Sequence, residues 1–225
     1  MKKFLKLTTV VVSMVMALTF VSCSDGNSSN NGNENLNDGQ LNLVGTYGLS
    51  KVEGLYKDST MDSATTMTMP TSTSLRIYET LKIKIGDDPS FMEMDYTITK
   101  TADGYSFNWA KYEVDGVAAS DEAKKDVQET QFDNKRWNNS TAEFAMTLTI
   151  TADGKWSMPD SSGTYTVDKE NSKVILTALI AEGETLDEPV KLEATYSNNG
   201  ETLVVVQDDS SDDVTDKSTM TYTRK

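Results

Sequence analysis

FAMTLTITADGKWSM, residues 144–158, alternates apolar and polar residues up to a four-residue break and then resumes on an aromatic. Phe144, Met146, Leu148 and Ile150 share one side at a period of two, the spacing of a strand with one buried face. TADG supplies the break. Its Asp bonds its own backbone and its Gly accepts a positive φ, after which Trp156 and Met158 take up the apolar side again. The segment therefore predicts a strand, a tight turn and a second antiparallel strand. The same four residues recur in ITKTADGYSF, 98–107, again between a strand pattern and an aromatic. One turn used twice explains both copies. The functional alternative, a catalytic pair of Asp103 and Asp153, requires the two turns to meet in space.

The alternation extends outward in both directions. LRIYETLKIKI places Leu75, Ile77, Leu81, Ile83 and Ile85 together, interrupted by Glu79, and FMEMDYTI groups Met92, Met94, Tyr96 and Ile98. YSFNW groups Tyr105, Phe107 and Trp109. Further strands are expected at GTYTV, KVILTALI, VKLEATY, TLVVV and MTYTR, separated by turn clusters such as GDDP, DKENS and SNNG. Short turns between strands imply antiparallel neighbours, not parallel strands with helical crossovers. Two segments break the rhythm. Residues 56–74 read as a Thr-, Ser- and Met-rich connection, and residues 120–132 as a short helix with Ser120 as N-cap and Asp121 and Glu122 in its first turn.

The chain begins MKKFLKLTTVVVSMVMALTFVSC: three lysines, an apolar run from Leu7 to Val21, then Ser22 and Cys23. This end resembles a bacterial lipoprotein signal. The resemblance implies cleavage before Cys23, acylation of that cysteine and anchorage in the bacterial cell envelope, most simply its outer membrane, on the periplasmic or surface face. An ordinary secretory leader and an uncleaved anchor helix are the competing readings. Cys23 is the single cysteine of the 225 residues, so no intrachain disulfide can form and the fold must rest on its core. Residues 23–40, continuing SDGNSSNNGNENLNDGQ after the cysteine, have the composition of a flexible tether. The expected organisation is thus a signal peptide over 1–22, a lipidated tether over 23–40 and one domain over 41–225.

With 21 basic and 35 acidic residues the chain carries −14, and loss of Lys2, Lys3 and Lys6 with the leader leaves 18 against 35, or −17. Such a charge repels nucleic acid and anionic lipid, so attachment to a membrane falls to acyl chains. Histidine is absent altogether. That excludes Ser-His-Asp and Cys-His triads, His-ligated zinc and the usual base near neutral pH. No enzyme activity, cofactor or metal is expected, although carboxylate-pair hydrolysis survives as an alternative. The acidic 208–213 loop, with Asp208, Asp209, Asp212 and Asp213, reads as a solvated turn and not as a calcium loop. Met67 and Met69, like Met92 and Met94, read as packing residues in preference to Cu(I) ligands.

A second echo is more specific. LVGTYGL at 43–49, ITADGKWSM at 150–158, SGTYTV at 162–167 and TYTRK at 221–225 together resemble the phrases of bacterial lipocalin-like domains. The resemblance implies an all-β, antiparallel up-and-down β-barrel of about ten short strands. It also implies closure by an aromatic of the first strand under a basic residue of the last, here Tyr47 and Arg224. Met92, Met94, Tyr105, Phe107, Trp109 and Trp156 are then the candidates to fill the barrel or to line a pocket for a small hydrophobic ligand. The expected function is a lipid-anchored binding protein, with a structural or surface-interaction lipoprotein as the alternative. Oligomeric state is open.

Overall fold

The computed structural model describes residues 42–85, 88–131, 134–181 and 183–225. The expected signal peptide, Cys23, the tether and Leu41 lie outside the described residues. Among the described residues, thirteen strands, two α-helices and a short 3-10 turn at Asn198–Gly200 follow in chain order. First come β1 (Gly45–Lys57), β2 (Met61–Thr71), β3 (Ser74–Ile85), β4 (Asp88–Thr101), β5 (Gly104–Val114) and β6 (Val117–Ala118). The helices α1 (Asp121–Gln131) and α2 (Asn134–Ala145) come next, then β7 (Thr147–Ile150), β8 (Lys155–Ser157), β9 (Ser162–Asp168) and β10 (Lys173–Ala181). β11 (Glu184–Ser197), β12 (Thr202–Asp208) and β13 (Thr215–Arg224) complete the chain. The strand order is β13-β12-β11-β10-β9-β8-β7-β1-β2-β3-β4-β5-β6, with β13 also paired to β1. That extra pairing closes β1 and β7–β13 into an eight-stranded antiparallel up-and-down barrel. β2–β6 and both helices are an insert between β1 and β7, which is why the strands outnumber the ten expected. The described residues fall into two compact units, taken in turn below.

The first unit holds the ring closure: residues 42–50, 144–206 and 220–225. The start of β1 pairs with β7 from Gly45↔Ile150 to Gly48↔Thr147. On its other side the Lys225 N–H donates to the Thr46 carbonyl at 2.9 Å, and the Ser50 hydroxyl to the Thr221 carbonyl at 2.9 Å. Tyr47, Leu43 and Val174 are 0% exposed, Leu148, Ile150 and Leu203 1%, and Trp156 and Tyr222 4%. An eight-stranded barrel is just wide enough to be filled by such side chains. The GTYTV glycine has a packing reason, since a Cβ on Gly163 would lie 1.8 Å from the Thr177 carbonyl oxygen of the neighbouring strand.

The second unit holds residues 51–143 and 207–219. Here β1 continues into β2 from Lys51↔Thr68 to Lys57↔Asp62, and β2–β5 follow as consecutive hairpins. Val52, Met67, Leu75, Ile77, Leu81, Met94, Tyr96 and Ile98 form the buried face of this sheet. Its other face is a ladder of exposed pairs, among them Arg76 with Asp95 and Lys111 with Glu93, both at 2.8 Å. Pairs of this kind contribute about 0–1 kcal/mol each and mainly keep the face wet. Helix α1 begins as expected: the Ala123 N–H donates to Ser120 Oγ at 3.2 Å, and Asp121 and Glu122 occupy the first turn.

Two expectations need correction. Most of residues 56–74 is strand, because β2 alternates in burial at Ser63, Thr65 and Met67. Two of those three inward residues are polar, so the alternation is invisible to hydropathy. Phe144 does not open a strand but lies in the last turn of α2. Among its described side chains Trp137, Ser140 and Phe144 are buried, at the helical spacing i, i+3, i+7, and polar Ser140 hid that period.

Candidate functional site

The β4–β5 hairpin turns through the first TADG, with Thr101 opposite Gly104 and Gly104 at φ 135°. From there Ile98 faces Phe107 and Tyr96 faces Trp109, but Asp95 faces Lys111. The register shift leaves Ala110 as the extra residue of a β-bulge. Trp109 and Tyr112, three apart in sequence, consequently share one side of β5, and Tyr112 stands opposite Met94. Ring centroids lie 4.8 Å apart for Tyr96 and Trp109, 6.4 Å for Phe107 and Trp109, and 5.4 Å for Trp109 and Tyr112. The Phe107–Trp109 and Trp109–Tyr112 planes are within 19° and 22° of parallel. At the far end Tyr105 meets Trp137 of α2 at 5.5 Å. Such pairs contribute roughly 0.5–1.5 kcal/mol each beyond the area they bury.

These rings are not closed over. Tyr96 is buried, whereas Tyr105, Phe107, Trp109 and Tyr112 are half-buried. Burial, and secondarily the Asp126 carboxylate on α1, push the Tyr112 hydroxyl above its ordinary pKa, so it remains a protonated donor at neutral pH. The Trp109 Nε1 atom is inside the fold with no hydrogen-bond partner.

Glu79 sits on the same buried sheet face at 3% exposure, directly opposite Thr65 on β2 and Met94 on β4, and Thr65 and Ser63 are each 5% exposed. Thr65, Glu79, Met94 and Tyr112 thus form one cross-strand row. Its sequence signal was the single charge interrupting LRIYETLKIKI.

Of the residues nominated from sequence, Met92, Met94, Tyr105, Phe107 and Trp109 all belong to this sheet. Trp156 belongs to the ring, where it is 4% exposed and its Nε1 also lacks a hydrogen-bond partner. The two carboxylates of the suggested pair fall in different units. Asp103 is exposed at the β4–β5 turn, while Asp153 lies in the other unit's β7–β8 turn. Lys155 at 2.7 Å and the Thr151 hydroxyl hold the Asp153 carboxyl below the usual range. In the acidic loop, Lys217 at 2.6 Å and Ser210 bring Asp208 to about 2. Among the described residues no group of three or more Cys, Asp or Glu is arranged to hold a metal ion, and no helix is long and apolar enough to cross a membrane.

The closure pair is in contact. The Arg224 guanidinium carbon is 5.4 Å from the Tyr47 ring centroid. Its Nη2 donates to the Tyr47 hydroxyl at 3.0 Å, to the Gly200 carbonyl at 3.1 Å and to the Asn42 carbonyl. The Tyr47 hydroxyl lies 2.8 Å from the Leu43 and the Gly200 carbonyls, and its one proton serves one of them at a time. Burial raises the Tyr47 pKa, partly offset by the Arg224 guanidinium. Glu201 lies 3.5 Å from Arg224 Nε, a charge contact whose geometry is not that of a hydrogen bond. Gly200 makes room for this knot, because a Cβ there would meet the Asn42 carbonyl oxygen at 2.3 Å. No protein-family model, curated protein or solved structure matches this chain.

Proposed function

We propose that the chain is a lipid-anchored, extracytoplasmic binding protein of lipocalin-like kind, in which the closed ring is scaffold and the aromatic face of β4 and β5 meets a small hydrophobic ligand. The observation that carries this is a contrast in exposure. Inside the ring, Tyr47, Leu148, Ile150, Val174 and Leu203 are at most 1% exposed, leaving that interior to its own side chains. On the insert, Tyr105, Phe107, Trp109 and Tyr112 keep part of their apolar surface open. Apolar surface with a few polar groups converging on it is the usual make-up of a small-molecule site. The anchor rests on Cys23, the only cysteine, at the end of a basic and then apolar leader.

Replacing Cys23→Ser tests the anchor: export persists and the protein moves to a soluble extracytoplasmic fraction. A variant that stays with the membrane after a carbonate wash overturns it. Native mass spectrometry of that soluble form tests the ligand site. Added mass that disappears in Phe107→Ala/Trp109→Ala supports binding at this face, and added mass that persists in the double variant contradicts it. The filled ring also favours a second reading, a surface-interaction lipoprotein without cargo, for which only the bare polypeptide mass is expected.

A further inference from the structure

The outward face of the insert sheet, on the other side from the aromatic row, is laid out by strand register. Glu53, Thr66, Tyr78, Asp95 and Lys111 form one cross-strand row from β1 to β5, and Leu55, Ala64, Thr80, Glu93 and Glu113 form the next. Lys57, Asp62, Lys82 and Phe91 form a third. Every carboxylate in these rows has a cation beside it. Glu53 is 2.8 Å from Lys51, and Asp62 is 3.3 Å from Lys57. Asp95 is 2.8 Å from Arg76, while Lys111 lies 2.8 Å from Glu93 and 3.2 Å from Glu113. Lys82 and Lys84, on the same side of β3, are exposed, and neither forms an ion pair among the described residues. The face thus holds six cations against five carboxylates, or +1, on a chain at −14.

Apolar surface accompanies the free charge. Leu55, Tyr78 and Phe91 are exposed on this face, and Phe91 stands directly opposite Lys82. A carboxylate drawn to Lys82 and Lys84 brings a neighbouring apolar side chain onto Phe91. Acids elsewhere on the chain do not prevent this approach, because at physiological salt charges beyond about 8 Å are largely screened. Size and sign select the occupant. Five strands about 4.8 Å apart, with about seven residues at about 3.3 Å each, cover roughly 450 Å², well short of the ~800 Å² that each partner gives to a standard interface. That area suits a short segment. A second copy stacked through the same face brings two more free lysines and no free carboxylate.

We infer that the outward face of the insert sheet, centred on Lys82, Lys84 and Phe91, docks an acidic peptide segment of a partner protein, one that carries carboxylates beside an aromatic or aliphatic side chain. This surface is on the other side of the sheet from the ligand face proposed above and does not depend on it.

Three synthetic octapeptides test it by ¹H–¹⁵N chemical-shift titration of the soluble Cys23→Ser protein at physiological salt, a method that reads weak affinities. The first has glutamates around one phenylalanine and one leucine, the second has glutamines in place of the glutamates, and the third has serines in place of the phenylalanine and leucine. Two exposed ion pairs correspond to about fivefold tighter binding of the glutamate than of the glutamine peptide, with the serine peptide weaker than the glutamate one. The shifts should centre on the amides of Thr80, Lys82 and Phe91. Lys82→Gln/Lys84→Gln brings the glutamate peptide down to the glutamine one, and Phe91→Ser weakens both. These side chains are exposed, and near-UV circular dichroism checks that the variants are folded. Equal affinities for the glutamate and glutamine peptides, binding unchanged by the lysine variant, or no binding by any peptide overturns the inference. So does a dimer in analytical ultracentrifugation that Phe91→Ser dissociates, or binding to phosphatidylglycerol vesicles that the lysine variant abolishes, since the face then belongs to a second copy or to lipid. None of these outcomes bears on the ligand reading, which the Phe107→Ala/Trp109→Ala mass measurement decides.

Discussion

Tyr47 and Arg224 show how much of a fold can rest on one pair of side chains far apart in sequence. The guanidinium lies over the phenol ring and also donates to the Gly200 and Asn42 carbonyls, which ties the last strand to the residues that precede β12 and β1. A cation over an aromatic contributes about 0.5–2 kcal/mol according to its exposure, and each hydrogen bond about 1. Arg224→Met should therefore cost about 2 kcal/mol and Tyr47→Phe about 1, with the double variant losing at least about 0.5 less than the sum. Urea denaturation reads all three, and strict additivity contradicts the coupling. Asp58 supplies a second test at this scale. Its carboxylate accepts from the Thr60 N–H, the Thr60 hydroxyl, the Met61 N–H and the Tyr56 hydroxyl, which bring its pKa to about 2. The unfolded value is about 3.9, so this stabilisation is complete above about pH 4 and is lost as pH falls through about 2. Asp58→Asn should flatten the dependence of stability on pH between 5 and 2. An unchanged slope shows that the turn does not hold the carboxylate ionised.

Among the elements, the two TADG turns are the parts most open to local reading. Both glycines are at positive φ, Gly104 at 135° and Gly154 at 78°. In the second turn the Thr151 N–H donates to the Lys155 carbonyl at 2.9 Å and the Gly154 N–H to the Thr151 carbonyl at 3.3 Å. Nothing lies within 4 Å of a Cβ built on Gly154, so backbone strain and not crowding determines the outcome of a substitution there. Gly154→Val should cost at least about 1–2 kcal/mol, read as a lower denaturation midpoint. A midpoint equal to that of the parent chain removes the turn as the reason for the glycine. Ser120→Ala at the α1 N-cap should cost about 1 kcal/mol by the same measurement. β2 and α2 were not legible from hydropathy for one shared reason. Ser63, Thr65 and Ser140 occupy buried positions with polar side chains, and an apolar period cannot register a polar residue that points inward.

For the molecule as a whole, closure by β13 is what separates a barrel from an open sheet. Deleting Thr221–Lys225 removes Tyr222, Arg224 and the Lys225 N–H donor to Thr46 together. The near-UV dichroism of Trp156 should then collapse toward that of unfolded chain, and retention of the full signal would mean that the ring does not depend on its last strand. Period-two alternation, Asp-Gly turns, the absence of histidine and the acidic balance are local or compositional properties. They were enough to make the chain all-β, antiparallel and acidic, and to exclude His-dependent catalysis. Pairing partners are another matter, because every half-buried strand presents the same period and nothing in it names its neighbour. Long-range packing put Trp156 in the ring and Phe107 and Trp109 on the insert. One extra residue at Ala110 turned Tyr112 to the face of Trp109, and the cross-strand register set buried Glu79 beside Thr65 and Met94. These placements arise from contacts between residues tens to hundreds of positions apart, which no local pattern encodes.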